Sequence, residues 1–286
     1  MRIPKSNLSL TDNEDPRVWS LCALSADELL LAMGAKGLRA LSLHTGQLAA
    51  HEPIALRDEV IRVAFDSNTD TLLLFVKARK TNNYQIMSLR RNASEWLEVQ
   101  RLNTKLFNHF TTIYMYIAMC DSRVMLLVGN KQLYTLYEFD VSAEHILRNA
   151  GSVTLETATY DLACTRRDND TLVAFSHDTS VSLQRLTSLP LRLEPLASVN
   201  LTDPWRLLFR GDLLLVNVWN HAANKYAIVS FRATGNALTE PRVLLDAQRS
   251  DRYVGAWAFA GDRLVVSELN RTDETQRDLL VYDFKK

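Results

Sequence analysis

Residues Ser25–Leu48 read SADELLLAMGAKGLRALSLHTGQL, and two structures compete for them. Ser25 followed three residues later by Glu28, ahead of a leucine run, is the signature of a capping box that opens a helix. Gly34 and Gly37 fall only a few residues in, however, and Thr45-Gly46 adds a second turn signal. They interrupt the amphipathic run of about ten residues that a helix needs. Such punctuation fits two short strands joined by tight turns.

The remainder of the chain decides the matter, because the stretch recurs. A polar turn followed by apolar residues, DELLLAM at Asp27, returns as DTLLLFV at Asp70, SRVMLLV at Ser122, DTLVAFS at Asp170, DLLLVNV at Asp212 and DRLVVSE at Asp262. The aligned positions Leu29, Leu72, Val124, Leu172, Leu214 and Leu264 are spaced 42 to 52 residues apart. Downstream of each copy lies an alternating segment: RALSL ending at Leu43, QIMSL at Leu89, LYEF at Phe139, SLQRL at Leu186, AIVSF at Phe231 and LVYDF at Phe284. Upstream lies an apolar segment around Cys22, Ala64, Ala118, Ala163, Leu208 and Ala258. Three phases share one period, and the other five copies carry strand formers where the first offers its leucine run. Ser25–Leu48 is read as strands.

With a more polar fourth strand, such as EWLEVQRL or LRLEPLASVNL, each unit holds four strands. Four strands in roughly 40 to 50 residues is the pattern of a β-propeller blade. The expected architecture is an all-β, six-bladed propeller in a single domain, with blades at 17–52, 60–101, 114–155, 160–201, 205–245 and 254–284. The sixth copy lacks an outer strand. Residues 3–10 alternate at Asn7-Leu8-Ser9-Leu10 and are expected to supply it by pairing with Leu279–Phe284, closing the ring.

On these repeats the chain resembles the WD40 class of propellers. HTGQL at His44–Leu48 looks like the turn between third and fourth strands of that class, and LLVYDF at Leu279–Phe284 like the end of a blade. It departs from the class in lacking the paired Gly-His and Trp-Asp dipeptides, in holding nine glycines in all, and in having six blades rather than seven. More faintly, RALSLHTGQLAAHEP and the closing LLVYDF look like the propeller region of fungal F-box proteins, without F-box helices ahead of them. The resemblance to WD40 propellers implies a protein-interaction scaffold or adaptor.

Composition narrows the function classes. Thirty-three basic residues balance thirty-three acidic ones, so no net field draws the chain to nucleic acid or an anionic membrane. The N-terminal MRIPKSNLSLTDNEDP lacks the apolar region of a secretory signal, and no apolar run is long enough for a membrane helix. Cys22, Cys120 and Cys164 are odd in number and far apart in sequence, which fits reduced core thiols rather than a disulfide framework or zinc site. The expected setting is intracellular, cytoplasmic or nuclear.

Candidate sites follow from the repeat. Two residues before the small residue of each inner strand stand Ser20, Arg62, Tyr116, Asp161, Arg206 and Ala256. Equivalent positions point the same way in every blade, so these residues should gather at a channel mouth. Ser20, Arg62, Tyr116, Asp161 and Arg206 are then a polar partner site anchored by Arg62 and Arg206. The alternative is an internal ion pair between Asp161 and one of those arginines. Long loops on a rigid scaffold are favoured binding elements. Phe107 and Phe110 in the linker LNTKLFNHFTT, with Trp219 and Tyr253, are candidate rim anchors. Lys77, Arg79, Lys80, Arg90 and Arg91 form the densest basic cluster, offering a phosphate or nucleic-acid reading although no aromatic platform interleaves them.

Catalytic patterns are poor. The sequence carries no Gly-rich phosphate loop, no G-x-S-x-G, no H-E-x-x-H and no metal spacing among its six histidines. Ser176-His177-Asp178 cannot act as a triad, because consecutive strand side chains diverge. A hydrolase or lactonase using the channel mouth is the enzymatic alternative. Two arginines against one aspartate would repel the central calcium of such a site. The expectation is a noncatalytic module without cofactor or metal that binds protein partners, with a small-molecule ligand as the lesser possibility.

Overall fold

The computed structural model describes residues 1–8, 17–49, 54, 56–81, 83–93, 95–103, 114–129, 133–188, 190–234, 236–247, 251–272 and 275–284. Its sheets are built from β1 (Arg2–Ile3), β2 (Ser20–Ala23), β3 (Glu28–Ala32) and β4 (Leu38–Ser42), then β5 (Glu59–Asp66), β6 (Thr71–Lys77), β7 (Tyr84–Asn92) and β8 (Glu95–Asn103). The third copy of the repeat gives β9 (Tyr114–Cys120), β10 (Arg123–Gly129), β11 (Tyr134–Val141) and β12 (Leu147–Leu155). The fourth gives β13 (Asp161–Arg167), β14 (Asp170–Ser176), β15 (Ser180–Ser188) and β16 (Leu191–Asn200). The fifth gives β17 (Pro204–Arg210), β18 (Leu213–Asn220), β19 (Lys225–Thr234) and β20 (Ala237–Asp246), and the last β21 (Arg252–Ala260), β22 (Arg263–Asn270) and β23 (Gln276–Asp283). Each repeat forms its own antiparallel sheet, in sequence order from inner to outer strand. The protein is a six-bladed β-propeller.

The stretch that could have been a helix is a hairpin. β3 pairs with β4 from Glu28↔Ser42 to Ala32↔Leu38. Instead of capping a helix, the Ser25 hydroxyl accepts the Asp27 N–H at 3.2 Å and closes a local turn. Gly34 holds φ at +60° and exchanges two backbone hydrogen bonds of 2.9 Å with Val60 of β5. A Cβ there would lie 2.8 Å from the Trp19 indole nitrogen, so both the backbone angle and the close approach require glycine.

Consecutive leucines are tolerated because both faces of a blade are buried. Leu29, Leu31 and Met33 pack toward the sixth blade with Val265 and Leu279, while Leu30 and Ala32 pack toward the second with Val63 and Leu74. The chain divides into two compact units, residues 1–106 with 251–286 and residues 107–250. The first holds blades one, two and six, and the second holds blades three to five. In the second unit the equivalent core layers lie between blades three and four, around Leu127 and Phe175, and between blades four and five, around Ala174 and Val216.

The N-terminal segment supplies the outer strand of the last blade, as expected, but over a shorter span. β1 pairs with β23 at Arg2↔Leu280 and Ile3↔Leu279 only. Pro4 has no N–H to extend the ladder, and Lys5–Leu8 turn into a 3-10 helix where a continued strand was expected. Ser9 and Leu10 lie outside the described residues. The short clasp is reinforced by the terminal ammonium donating to the Val281 carbonyl at 2.7 Å, an Arg2–Asp278 ion pair, and full burial of Ile3 and Leu8.

Candidate functional site

In the second unit the inner strands β9, β13 and β17 bring Tyr116, Asp161 and Arg206 together. Asp161 opens β13 and is 8% exposed. Its Oδ2 accepts the Leu207 N–H at 2.9 Å, and its Oδ1 lies 3.9 Å from the Arg206 guanidinium. That guanidinium sits 5.7 Å from the centre of the Tyr116 ring, within cation–π range. The arrangement is a relay across three blades, aromatic to cation to carboxylate.

The first unit repeats the same stitch in neutral form. Ser20 Oγ accepts the Val63 N–H at 3.3 Å, and Val63 occupies the place in its blade that Leu207 occupies in another. Inner strands of neighbouring blades share no ladder, so a short polar side chain bridges the gap. Arg62 donates to the Trp19 and Ile61 carbonyls at 3.2 and 3.0 Å. The internal ion pair held open in the sequence reading is therefore Asp161–Arg206. Ala256 is buried.

Sequence reasoning missed the residues directly ahead of these positions. Trp205 precedes Arg206 and is 53% exposed. Its ring lies 5.9 Å from that of Tyr160, which precedes Asp161. The Tyr160 hydroxyl donates to the Asp178 carboxylate in the β14–β15 turn. That bond, with a smaller contribution from burial, pushes the Tyr160 pKa up to about 12. Tyr114 on β9 is also exposed. The available signal was an aromatic immediately before the polar position, which also occurs at Trp19 before Ser20.

Hairpin turns and strand starts meet at this end of the blades. His177 in the β14–β15 turn lies 2.9 Å from the Ala158 carbonyl through Nδ1 and 2.9 Å from the Ser182 hydroxyl through Nε2. A carbonyl only accepts, so Nδ1 donates a proton to it. Ser176 is fully buried, with its hydroxyl directed to the Trp205 carbonyl at 3.5 Å. The Ser-His-Asp run is thus dispersed into separate structural bonds.

Other expected site residues are placed differently. Trp219 is no rim anchor: it lies within β18, opposite Tyr226, and both are buried, at 5% and 1% exposure. The strand runs two residues beyond the apolar repeat, carrying the indole into the core. Tyr253 is half-buried within β21 rather than on a loop. Phe107 and Phe110 lie outside the described residues. The basic cluster divides, because Lys77 faces Tyr84 at one end of the β6–β7 hairpin while Arg90 faces Thr71 at the other. Six strand residues separate the ends, roughly 20 Å. Arg79 donates to the Ala35 carbonyl, Lys80 is exposed in the turn, and Arg91 lies 5.9 Å from the Trp96 ring.

Among the described residues, no three His, Cys, Asp or Glu side chains converge as metal ligands. A cleft at the opposite end of β13 is lined by Thr165, Arg166, Asp168, Gly211 and Asp212. Two of its charges have partners: Arg166 faces Asp121 at 3.9 Å, and Asp212 faces Arg232 at 3.6 Å. No described helix is long and apolar enough to cross a membrane.

Solved propellers share this fold. A Thermus thermophilus protein described as an oxidoreductase (glucose dehydrogenase) aligns with a TM-score of 0.62 and 12% identity, over 93% of this chain and 96% of its own. The β-propeller domain of Swd1 from Myceliophteria thermophila aligns with a TM-score of 0.56 and 15% identity, over 94% and 84%. A chain of a nidogen/laminin complex aligns with a TM-score of 0.54 and 12% identity, over 88% and 92%. No family model and no curated protein matches the sequence. The similarity shows the β-propeller fold, and it lends no support to the resemblance to fungal F-box proteins.

Proposed function

We propose that the protein is a noncatalytic interaction module of an intracellular complex, which docks a protein segment on the aromatic end of blades three to five. The observation that carries this reading is Trp205, a half-exposed indole packed at a tilt against Tyr160 beside the Tyr116–Arg206–Asp161 relay. A large aromatic side chain held rigid at the surface loses little entropy on binding, and Trp, Tyr and Arg dominate interface hot spots. Titratable groups around it are engaged in structural bonds, which supports binding over catalysis. The solved nidogen/laminin complex is a precedent for a propeller-fold chain in a protein assembly.

The test is Trp205→Ala in the full chain, compared with wild type for partners retained after native purification. Loss of roughly 2 kcal/mol at a hot spot weakens binding about 30-fold. The expected result is loss of the partner with an unchanged Tm, because the indole contributes an exposed surface. Retained binding would overturn the placement of the site. Turnover of a small-molecule substrate that depends on Trp205 or Arg206 would favour the enzyme reading instead.

A further inference from the structure

The three cysteines are scattered in sequence, yet the fold pairs two of them. Cys120 ends β9 and Cys164 lies in the middle of β13, the inner strands of blades three and four. Their separation of 44 residues is one repeat, so winding the chain through one blade returns it beside its starting strand. Both side chains belong to the apolar layer between these blades, where the Cys164 thiol interacts with that of Cys120. Cys164 is buried, while Cys120 is only half-buried and is the approachable member. Cys22 lies on β2 of the first unit.

We propose that Cys120 and Cys164 form an oxidisable dithiol, which hydroperoxides convert into a disulfide bridging blades three and four. The Cys120 thiolate attacks the peroxide O–O bond, giving a sulfenic acid and hydroxide. The Cys164 sulfur then attacks the sulfenic sulfur, displacing the oxygen as water as its own proton is transferred. With hydrogen peroxide, two thiols and one peroxide yield one disulfide and two waters: the sulfurs are oxidised and both peroxide oxygens reduced. Contact with Cys120 and burial push the Cys164 thiol up, which leaves the first attack to the more exposed Cys120, with Cys164 beside it to resolve the sulfenic acid.

The bridge has a structural consequence, because the same two strands present Tyr116 and Asp161 at their other ends. Pinning β9 to β13 fixes the spacing of two members of the candidate site. Closing a loop of this length restricts the unfolded chain and raises Tm by on the order of 5 °C. The chemistry stands apart from the binding proposal, since its readout is a covalent bond.

The experiment treats the folded full-length protein with hydrogen peroxide, blocks residual thiols with an alkylating reagent, and maps peptides by mass spectrometry without reduction. The expected product is a Cys120–Cys164 linked peptide pair, abolished by dithiothreitol, with Cys22 still alkylated. Cys22→Ser should give the same product, while Cys120→Ser and Cys164→Ser should give none. Wild-type protein carries the test even if a variant fails to fold. The proposal is overturned if peroxide leaves all three thiols alkylatable, or yields only intermolecular bridges, or stops at sulfinic acid on Cys120.

Discussion

Two buried carboxylates of the second unit show how differently the same chemistry can be housed. Asp161 accepts a backbone N–H on one oxygen and faces Arg206 with the other. Glu138 on β11 is fully buried, and its Oε1 receives Arg123 and Ser188 at 3.0 Å each, while its Oε2 has no hydrogen-bond partner among the described residues. Desolvation is the largest influence and raises the Glu138 pKa, against the opposing pull of Ser188 and Arg123. A raised folded pKa means that the folded chain holds a proton which the unfolded chain has released. The contribution of Glu138 to stability is therefore complete below the ordinary carboxylate pKa and is lost as pH rises through the raised value. Glu138→Gln keeps the shape without the ionisation. The Tm of this variant minus that of wild type should grow more positive by a few degrees between pH 5 and pH 8. A difference that grows more negative would show that the Arg123 ion pair outweighs the burial cost.

At the scale of elements, the smallest strand has a disproportionate effect. β1 is two residues long, but it brings buried Ile3 and Leu8 onto the last blade, and Arg2 and the Lys5 N–H onto Asp278. Each of the two apolar side chains is worth about 1.5–3 kcal/mol of burial. Deleting residues 1–8 should lower Tm by on the order of 10 °C, measured by calorimetry, and an unchanged Tm would remove the clasp from the account. The same scale explains the basic cluster and Trp219. Arg90 lies a strand length from Lys77 because β7 runs back from the turn, and a strand extended two residues past the apolar repeat carries the Trp219 indole into the core.

For the molecule as a whole, charge balance is the governing property. With thirty-three charges of each sign and an isoelectric point near 7.0, self-repulsion is least at neutral pH. Solubility at low salt should pass through a minimum close to pH 7 and recover by pH 8.5, which light scattering across a pH series checks. A flat profile would show that local patches, rather than net charge, control association. What the sequence alone determined is the repeat: apolar runs spaced by one blade, turns at glycine and aspartate, and the strand identity of Ser25–Leu48 against a helix signal. Those features are legible because backbone pairing and two-sided burial act on residues close in sequence. The relay of Tyr116, Arg206 and Asp161, the Trp205–Tyr160 ring contact, and the contact of Cys120 with Cys164 were decided only by tertiary structure. Each joins residues one repeat or more apart, and their distances and exposures follow from how one sheet packs on the next, which no local pattern encodes.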